Sequence, residues 1–441
     1  MNEIDITKTK YLDTLKKGIW IYIFLLIFEG ALRKWFLPSL ATPLLVVRDP
    51  LAMWLILMSW KRGVLKMNAY TAVVGFVGII SFFIAILFGH GELLIAIYGA
   101  RTLLIYFPLM FVIGQIFNKE DVIRVGKLIL CISIGMVIIN IFQYISPQSA
   151  WINRGVGGDI TGSGFGGALG YFRSSGTFSF ATGNASFWGL TGAFLFYFWL
   201  VPKKISRWLL IMSSIAFLIA IPISISRTVF FQALLSLSFV GCVLLRKPQY
   251  LWRFLVTVFV IVIITAVLAQ TSLFNTSIEV FLARFTSANE SEGGAEGVLI
   301  DRFLGGMVNA ITGSENLPFW GYGIGIGSNM AAVYLSGDRA FILGEAEWGR
   351  MIGEMGVILG LSVILIRIIL VIQLTFRAIR MLIQEEPLAW MLLSFGGLTI
   401  LQGLWAQPTA LGFSTLIGGL LIAATSEHTT KKNQIIETKE L

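Results

Sequence analysis

The chain has 441 residues, of which 56% are hydrophobic and only 13% are charged, and its mean hydropathy is +0.82. A soluble domain carries roughly 25% charged residues, so this composition excludes a soluble globular protein and indicates a multi-pass membrane protein. The net charge of +9 resembles that of nucleic-acid-binding proteins, but most basic residues fall in short segments between hydrophobic spans, which explains the charge without nucleic acid.

Twelve hydrophobic segments have about the length of a membrane-spanning helix, roughly 17–25 residues. They are 18–32, 41–60, 69–88, 96–117, 128–145, 184–201, 208–225, 228–245, 251–270, 346–370, 388–404 and 407–425. The Lys and Arg bias of the connecting segments predicts that both termini are cytoplasmic. We therefore predict an all-α polytopic membrane protein of about 12 transmembrane helices, with residues 1–441 forming a single transmembrane domain.

Two long outer segments interrupt the hydrophobic spans. Residues 146–183 are rich in Gly and Ser, and residues 271–345 form the longest polar segment. Loops this long are usually functional unless they are disordered, and the helical spacing of apolar residues at 300–311 predicts a short helix lying on the membrane. The predicted cytoplasmic loops are too short to form a catalytic domain, so any chemistry faces outward or lies within the membrane.

Arg227 stands between two apolar runs, in the segment IPISISRTV, without an acidic neighbour in sequence. Arg101 lies at a similar edge, in IYGARTLL. A cation near the hydrocarbon boundary costs a few kcal/mol on insertion scales, so each position needs an explanation. Such an arginine either binds a ligand with several negative charges, such as a lipid-linked pyrophosphate, or it anchors a helix or pairs with a buried carboxylate.

A crowded group of charges opens the tenth predicted span, at Glu345, Glu347, Arg350 and Glu354. Carboxylates at a helix start are favoured by the macrodipole, so either of the first two could be only a cap. Alternatively, Glu345 or Glu347 accepts a proton from a sugar hydroxyl as a catalytic base. Glu354 is deeper, and we expect it to pair with a buried arginine.

The run Gly321–Gly327 (GYGIGIG) lacks the spacing and the strand–helix context of a dinucleotide fingerprint. We predict a tight turn there that allows close backbone approach. The Glu345-Ala-Glu347 pair could bind a divalent metal, but no Asp-x-Asp pair or histidine cluster accompanies it. We therefore predict neither a metal nor a cofactor. His90, beside Glu92, is either a base or an ordinary surface histidine.

Three further arginines lie in the outer segments: Arg173 in the Gly/Ser-rich segment, and Arg302 and Arg339 in the large one. Each is either a solvated surface charge or a substrate contact. Glu29 lies one helical turn before Arg33, which predicts a structural ion pair.

Several short motifs then follow in a particular order. They are Ala100-Arg101-Thr102, Arg173-Ser-Ser-Gly-Thr-Phe178, Ser224-Ile-Ser-Arg227, Asp301-Arg302-Phe303, Phe319-Trp-Gly-Tyr-Gly-Ile-Gly325 and Glu354-Met-Gly356. Their order and predicted topology resemble the O-antigen polymerase and O-antigen ligase family of bacterial inner membranes, over roughly residues 95–370.

The resemblance implies a GT-C-like, metal-independent glycosyltransferase that faces outward in the bacterial inner membrane and uses an undecaprenyl pyrophosphate-linked oligosaccharide. It assigns the diphosphate to Arg101 and Arg227, and we assign further substrate contacts to Arg173, Arg302, Arg339 and Arg350. The expected partners are this lipid-linked substrate, membrane lipids, and the chain-length regulator and flippase of the same pathway, but not nucleic acid.

The ligase branch of the family carries a histidine just before the tenth span. In this chain Glu345 and Glu347 occupy that neighbourhood, which favours a polymerase. The alternatives are a ligase that transfers polysaccharide to a lipid A core or a protein, and a lipid-oligosaccharide flippase or other transporter. Transporters often contain inverted repeats and broken helices near the midplane, and neither is evident in the sequence.

Overall fold

The computed structural model describes residues 3–246, 251–292, 317–336 and 346–437. It is almost entirely helical. The helices are α1 (Glu3–Ala31), α2 (Ala41–Leu44), α3 (Arg48–Lys61), α4 (Ala69–Leu87), α5 (Leu93–Arg101), α6 (Phe107–Ile116), α7 (Lys119–Ile145), α8 (Ala181–Leu200), α9 (Arg207–Ile223), α10 (Arg227–Arg246), α11 (Leu251–Leu268), α12 (Ser272–Glu292), α13 (Glu347–Ile383), α14 (Leu388–Gln402) and α15 (Pro408–Glu437).

Seven helical segments of the described chain are long and apolar enough to cross a membrane, or up to eight if the bent pair formed by α11 and α12 is one span. The seven are Pro38–Lys61, Ala69–Leu87, Leu93–Ile116, Lys119–Ile145, Arg227–Arg246, Glu347–Ile383 and Pro408–Ser426. The chain is thus a multi-pass helical membrane protein. The predicted count of twelve is not confirmed, because α9 and α14 are shorter and because α1 and α8 are not among the seven.

Within the described residues, the predicted all-α architecture is accompanied by a small sheet in the Gly/Ser-rich segment. There β1 (Phe165–Ala168) and β2 (Tyr171–Arg173) form an antiparallel pair. The turn between them places Leu169 and Gly170 at φ values of 49° and 80°, as two-residue hairpin turns require. This hairpin was not predicted from the sequence because β1 is rich in glycine, a residue that is uncommon in strands.

The helix ends separate into two groups. At one end, Lys16 pairs with Asp121, Lys119 with Glu386 and Lys204 with Glu120. These are the short connections that the sequence predicts to be cytoplasmic, so we call this the basic end. The opposite end, the loop end, carries the β1–β2 hairpin and residues 317–328. Which end faces the cytoplasm is a prediction that comes from the sequence alone.

Two helices of the loop end are interrupted for reasons that the sequence explains. Between α5 and α6, residues Thr102–Tyr106 form a π-helical turn. Pro108 follows, and its ring would clash with the carbonyl of residue 104 in a regular α-helix, so a wider turn relieves the contact. A second π-turn, Leu32–Phe36, ends α1 just before Pro38.

The largest interruption lies in α13, at Gly356, whose φ and ψ are 74° and 170°. The chain folds back there, as the hydrogen bond of 2.8 Å from Arg367 to Glu347, 20 positions earlier, demonstrates. A straight helix would separate these residues by roughly 30 Å. Residues 347–355 therefore lie beside the helix that starts at residue 357. We call this arrangement the folded-back hairpin.

The run Gly321–Gly327 packs its backbone against this break, as the sequence predicts. The break leaves the carbonyls of Gly353 and Glu354 without intrahelical partners, and they accept hydrogen bonds from the N–H groups of Tyr322 at 2.8 Å and Gly323 at 2.9 Å. Gly321, Gly323 and Gly325 all have positive φ. A Cβ at Gly325 would collide with the carbonyl of Ile95 in α5, so this glycine run joins α5 to α13.

We predict that Gly356→Ala destabilises the folded protein by roughly 1–3 kcal/mol or more, since its backbone conformation is essentially restricted to glycine. A Cβ there would also collide with the carbonyl oxygen of Phe319. The thermal unfolding midpoint in detergent measures the effect. Gly135→Ala is the matched control, because that helical glycine has nothing within 4 Å of an added Cβ and its substitution should leave stability equal or raised. Equal midpoints for Gly356→Ala and wild type would refute the strained break.

Candidate functional site

A cluster of charged side chains lies at the loop end, where α1, α3 and α5 meet. Glu29 accepts hydrogen bonds from Arg48 Nε at 2.8 Å and from Arg33 Nη1 at 3.5 Å. This confirms the predicted Glu29–Arg33 ion pair and adds Arg48, which is 1% exposed. Arg48 also donates to the Pro408 carbonyl at 2.9 Å, so it ties the end of α1 to the start of α15.

Arg101 lies in the same cluster and is paired. Its Nη1 donates to Asp49 Oδ2 at 2.6 Å, and its Nε donates to the Tyr98 carbonyl at 3.1 Å. The guanidinium also lies 3.7 Å from the centroid of the Tyr98 ring, while Tyr106 donates to the other oxygen of Asp49 at 2.6 Å. The π-turn brings Tyr106, five residues on, to the face of Arg101. The structure thus realises the ion-pair alternative for this arginine.

Lys34 follows Arg33 in the π-turn and is fully buried. Its Nζ donates to Ser175 Oγ at 2.9 Å and to the Gly176 carbonyl at 2.7 Å. It also lies 4.7 Å from the Trp35 ring centroid. No salt bridge joins Lys34 to a carboxylate within the part of the chain that the structure describes. Lys34 therefore differs from its three arginine neighbours in having only neutral partners there.

These six residues, which we call the cation cluster, are Glu29, Arg33, Lys34, Arg48, Asp49 and Arg101. The three arginines, which stay charged, face two carboxylates, which leaves an excess of one positive charge in a largely buried volume whether or not Lys34 is protonated. Within the described residues, Arg48 Nη1 is buried and makes no hydrogen bond. Like charges repel strongly in a low-dielectric interior, and buried charges need compensation. The cluster therefore favours an added anion.

Arg227 begins α10 on the other side of the β1–β2 hairpin and is half-buried. Two positions earlier, Ile225 is fully buried with a φ of 48°, which is a genuine outlier for a β-branched residue. Strain of this kind clusters at functional sites. The strained turn sets the direction in which α10 and its first residue leave α9.

Arg173 lies on β2, above that turn. Its guanidinium is 4.6 Å from the Phe165 ring centroid on β1, and these residues are paired across the two strands. A Cβ added at Gly167 would lie 3.2 Å from Ile225 Cδ1, so the hairpin that carries Arg173 rests on the turn that precedes Arg227. The structure thus brings these two predicted residues into one region.

The folded-back hairpin buries a second charged group, the hairpin network, which consists of Glu347, Arg350, Glu354 and Arg367. Arg350 binds Glu347 with two nitrogens at 2.9 and 3.0 Å and Glu354 with the third at 2.6 Å. Arg367 donates to Glu347 at 2.8 Å and lies 4.0 Å from the ring centroid of Trp405. Two cations face two carboxylates, so the network is neutral.

The hydrogen bonds that the Glu347 carboxylate accepts are relevant to its predicted role as a catalytic base. Its two oxygens accept from Arg350, from Arg367 and from the Trp405 N–H at 3.1 Å. Both carboxylate oxygens are thus occupied by hydrogen bonds from the protein itself, and this geometry favours a structural role for Glu347 and for Arg350. Glu354 pairs with a buried arginine, as the sequence predicts, and its Oε1 also accepts from the Gly327 N–H at 2.9 Å.

Glu345, Arg302, Arg339 and the predicted helix at 300–311 lie outside the described residues. Within the described chain, no group of three His, Cys, Asp or Glu side chains lies together as candidate metal ligands. His90 Nδ1 accepts the Glu92 N–H at 3.0 Å, and its Nε2 is 3.2 Å from the Ile324 carbonyl. This histidine therefore packs against the glycine run.

Sequence reasoning gave no functional role to Lys34, Arg48, Asp49 and Arg367. A signal was available for three of them, because Arg48, Asp49 and Arg367 fall inside predicted hydrophobic spans, and ionisable residues within spans are functional candidates by default. Lys34 carried no such signal, since it follows the first predicted span.

We predict that Glu347→Gln lowers the free energy of unfolding by roughly 3–5 kcal/mol, because it leaves two buried guanidiniums with a single carboxylate. Adding Arg367→Met should recover part of the loss, because it removes one unpaired cation. Denaturation of the two single variants and the double variant measures this coupling. Glu120→Gln is the control, as it breaks an exposed pair with Lys204 that is worth about 0–1 kcal/mol. Additive effects of Glu347→Gln and Arg367→Met would contradict the assignment.

Comparison with known proteins adds no further assignment: no protein-family model, curated protein or solved structure matches the chain.

Proposed function

We propose that the protein polymerises lipid-linked oligosaccharide repeat units at the outer face of the bacterial inner membrane, by metal-independent glycosyl transfer from undecaprenyl pyrophosphate. The observation that carries this proposal is the excess of buried positive charge in the cation cluster, where three arginines face two carboxylates. A diphosphate supplies the missing negative charge, and guanidinium groups suit it because they bind phosphate in bidentate geometry and stay charged at any working pH.

Arg173 on the β1–β2 hairpin and Arg227 after the turn that the hairpin contacts also support the proposal. In an α-helix, residues three and four positions after Arg227 lie on its face. These residues are Phe230 and Phe231, and their rings contact Phe281 and Phe285 of α12 at centroid distances of 5.8 and 5.9 Å. A cation beside an aromatic wall is a suitable environment for a polyprenyl phosphate, whose head is anionic and whose tail is apolar.

In the proposed reaction an acceptor hydroxyl attacks the anomeric carbon of the donor sugar. The bond from that carbon to the diphosphate oxygen breaks, and a single displacement inverts the configuration. Negative charge develops on the leaving diphosphate, and the arginines stabilise it, an effect that can be worth several kcal/mol. The hydroxyl proton must pass to a base.

Two other functions are separable by their substrates. A ligase would transfer the polysaccharide to a lipid A core or a protein and would not extend lipid-linked repeats. A transporter is favoured by one observation, the broken helix α13 with its four buried charges, since discontinuous helices and intramembrane ionisable groups are features of transporters. The unbalanced charge lies elsewhere, in the cation cluster, which is why we favour the transferase.

We predict that Arg227→Ala lowers the rate of chain elongation by about 10²–10³-fold, as expected for the loss of one donor to a developing anion. Purified protein in liposomes with synthetic lipid-linked repeats and a chelator would be assayed by ladder formation on a gel. Arg246→Ala is the matched control, because Arg246 is exposed at the opposite end of the same helix. Wild-type ladders from Arg227→Ala would reject the diphosphate role. Movement of the substrate across the bilayer without elongation would identify a transporter.

Arg101 needs a paired substitution, since Arg101→Ala alone leaves Asp49 without its partner. We predict that the double variant Arg101→Ala/Asp49→Asn folds, because it removes the pair as a unit, but that elongation falls by about 10²-fold through the loss of a phosphate-binding guanidinium. Asp49→Asn alone is the control that keeps Arg101. A double variant with the elongation rate of Asp49→Asn would limit Arg101 to a structural role.

A further inference from the structure

The proposed transfer needs a base, and the one that the sequence suggests in the described chain is poorly suited, since Glu347 is held by two guanidiniums. Lys34 is the buried ionisable group of the cation cluster that has neutral partners. A buried ammonium group without a counter-ion is costly, and the usual response is loss of its proton. Lys34 lies in the π-turn Leu32–Phe36, outside the seven spanning segments, and burial lowers its pKa to about 7. A base works best when its pKa lies near the working pH.

A chain of hydroxyl groups leads away from this amine. Lys34 Nζ is 2.9 Å from Ser175 Oγ, and Ser175 Oγ is 2.9 Å from Ser163 Oγ. When Lys34 is neutral, the Ser175 hydroxyl donates to Nζ and the Ser163 hydroxyl donates to Ser175, while an amine N–H still donates to the Gly176 carbonyl at 2.7 Å. In each hydrogen bond between Lys34, Ser175 and Ser163, the donor and the acceptor can therefore exchange roles without movement of a side chain.

The outer end of the hydroxyl chain lies next to the strands that carry Arg173. Ser163 is 9% exposed, whereas Ser175 is 1% exposed, so the chain runs from the interior toward the surface. Ser163 comes two residues before β1, and β1 packs on the turn that precedes Arg227 through Gly167 and Ile225. The hydroxyls thus lead from Lys34 toward the β1–β2 hairpin, which carries Arg173 and contacts the turn before Arg227.

We propose that Lys34 is the proton acceptor of the transfer, reached through Ser175 and Ser163. This inference rests on the proposed function. As the acceptor oxygen bonds to the anomeric carbon, its proton passes to Ser163, the Ser163 proton passes to Ser175, and the Ser175 proton passes to Lys34 Nζ. The electron pair of the broken bond leaves on the diphosphate. Lys34 becomes an ammonium ion and returns the proton along the same hydroxyls, so it acts through the serines as a relay residue.

The charged and titratable groups of the elements around Lys34 are few. Glu29 and Arg33 precede it on α1 and its own turn, and they bond to each other. Arg154, Asp159, Tyr171 and Arg173 lie on the Gly/Ser-rich segment, and Tyr144 lies on α7. Within the described chain, no salt bridge joins Lys34 to any of them, so its titration is governed by burial.

The test compares elongation rates between pH 6 and 9 for wild type, Lys34→Met, Ser163→Ala and the control Lys127→Met, an exposed lysine at the basic end. In wild type the rate should rise with pH and level off above about pH 7. Lys34→Met should lose the rising limb and about 10²-fold in rate, with KM for the lipid-linked donor unchanged, and added methylamine should restore part of the rate. Ser163→Ala should lose rate to a similar extent. A wild-type pH profile in folded Lys34→Met, or a full rate in Ser163→Ala, would overturn the relay.

A second measurement does not depend on enzyme activity. Folding lowers the pKa of Lys34 from 10.5 to about 7, so between these pH values the unfolded chain binds more protons and stability rises with pH. The difference in unfolding midpoint between wild type and Lys34→Met should therefore shift in favour of wild type from pH 7 to pH 10. A constant difference would refute a neutral Lys34. If wild type makes no polymer but this shift is present, the polymerase proposal fails and the neutral buried lysine stands.

Discussion

The loop end of this protein depends on how its buried guanidinium groups are compensated. A cation that leaves water must meet a carboxylate, a carbonyl or an aromatic face. Arg48, Arg101 and Arg367 each meet at least two of these kinds of partner, and Arg350 meets two carboxylates. Their partners come from distant parts of the sequence. Satisfying these charges therefore draws α1, α3, α5, α13 and the start of α15 together.

The two buried charge groups differ in balance, and this difference separates structure from function. The hairpin network pairs two arginines with two glutamates, so it is complete in itself and holds the folded-back hairpin closed. The cation cluster has three arginines for two carboxylates, so it is incomplete and attracts an anion. On this basis we propose that the cation cluster and the Arg227 region bind the substrate, and we infer that Glu347 and Arg350 are parts of the framework.

A run of glycines lies between α5, which carries Arg101, and α13, which carries the hairpin network. The run Gly321–Gly327 fits its backbone between α5 and the break at Gly356, where side chains would collide with carbonyl groups. Its N–H groups complete the hydrogen bonds that the break leaves open, and Gly327 donates to Glu354. The hairpin network and α5, which carries Arg101, therefore both contact this one short segment.

The sequence by itself determined the class of protein, the positions of most helices, the close approach of the glycine run and the pairing of Glu29 with Arg33 and of Glu354 with an arginine. These follow from composition, local hydrophobicity and contacts within one or two helical turns. The sequence could not reveal that Asp49 neutralises Arg101, that α13 folds back so that Glu347 meets Arg367, or that Lys34 contacts Ser175 and Gly176. Only the tertiary structure decided these pairings, because each joins residues 20 to 142 positions apart. The charge balance of a buried site depends on which charged side chains the fold brings together there.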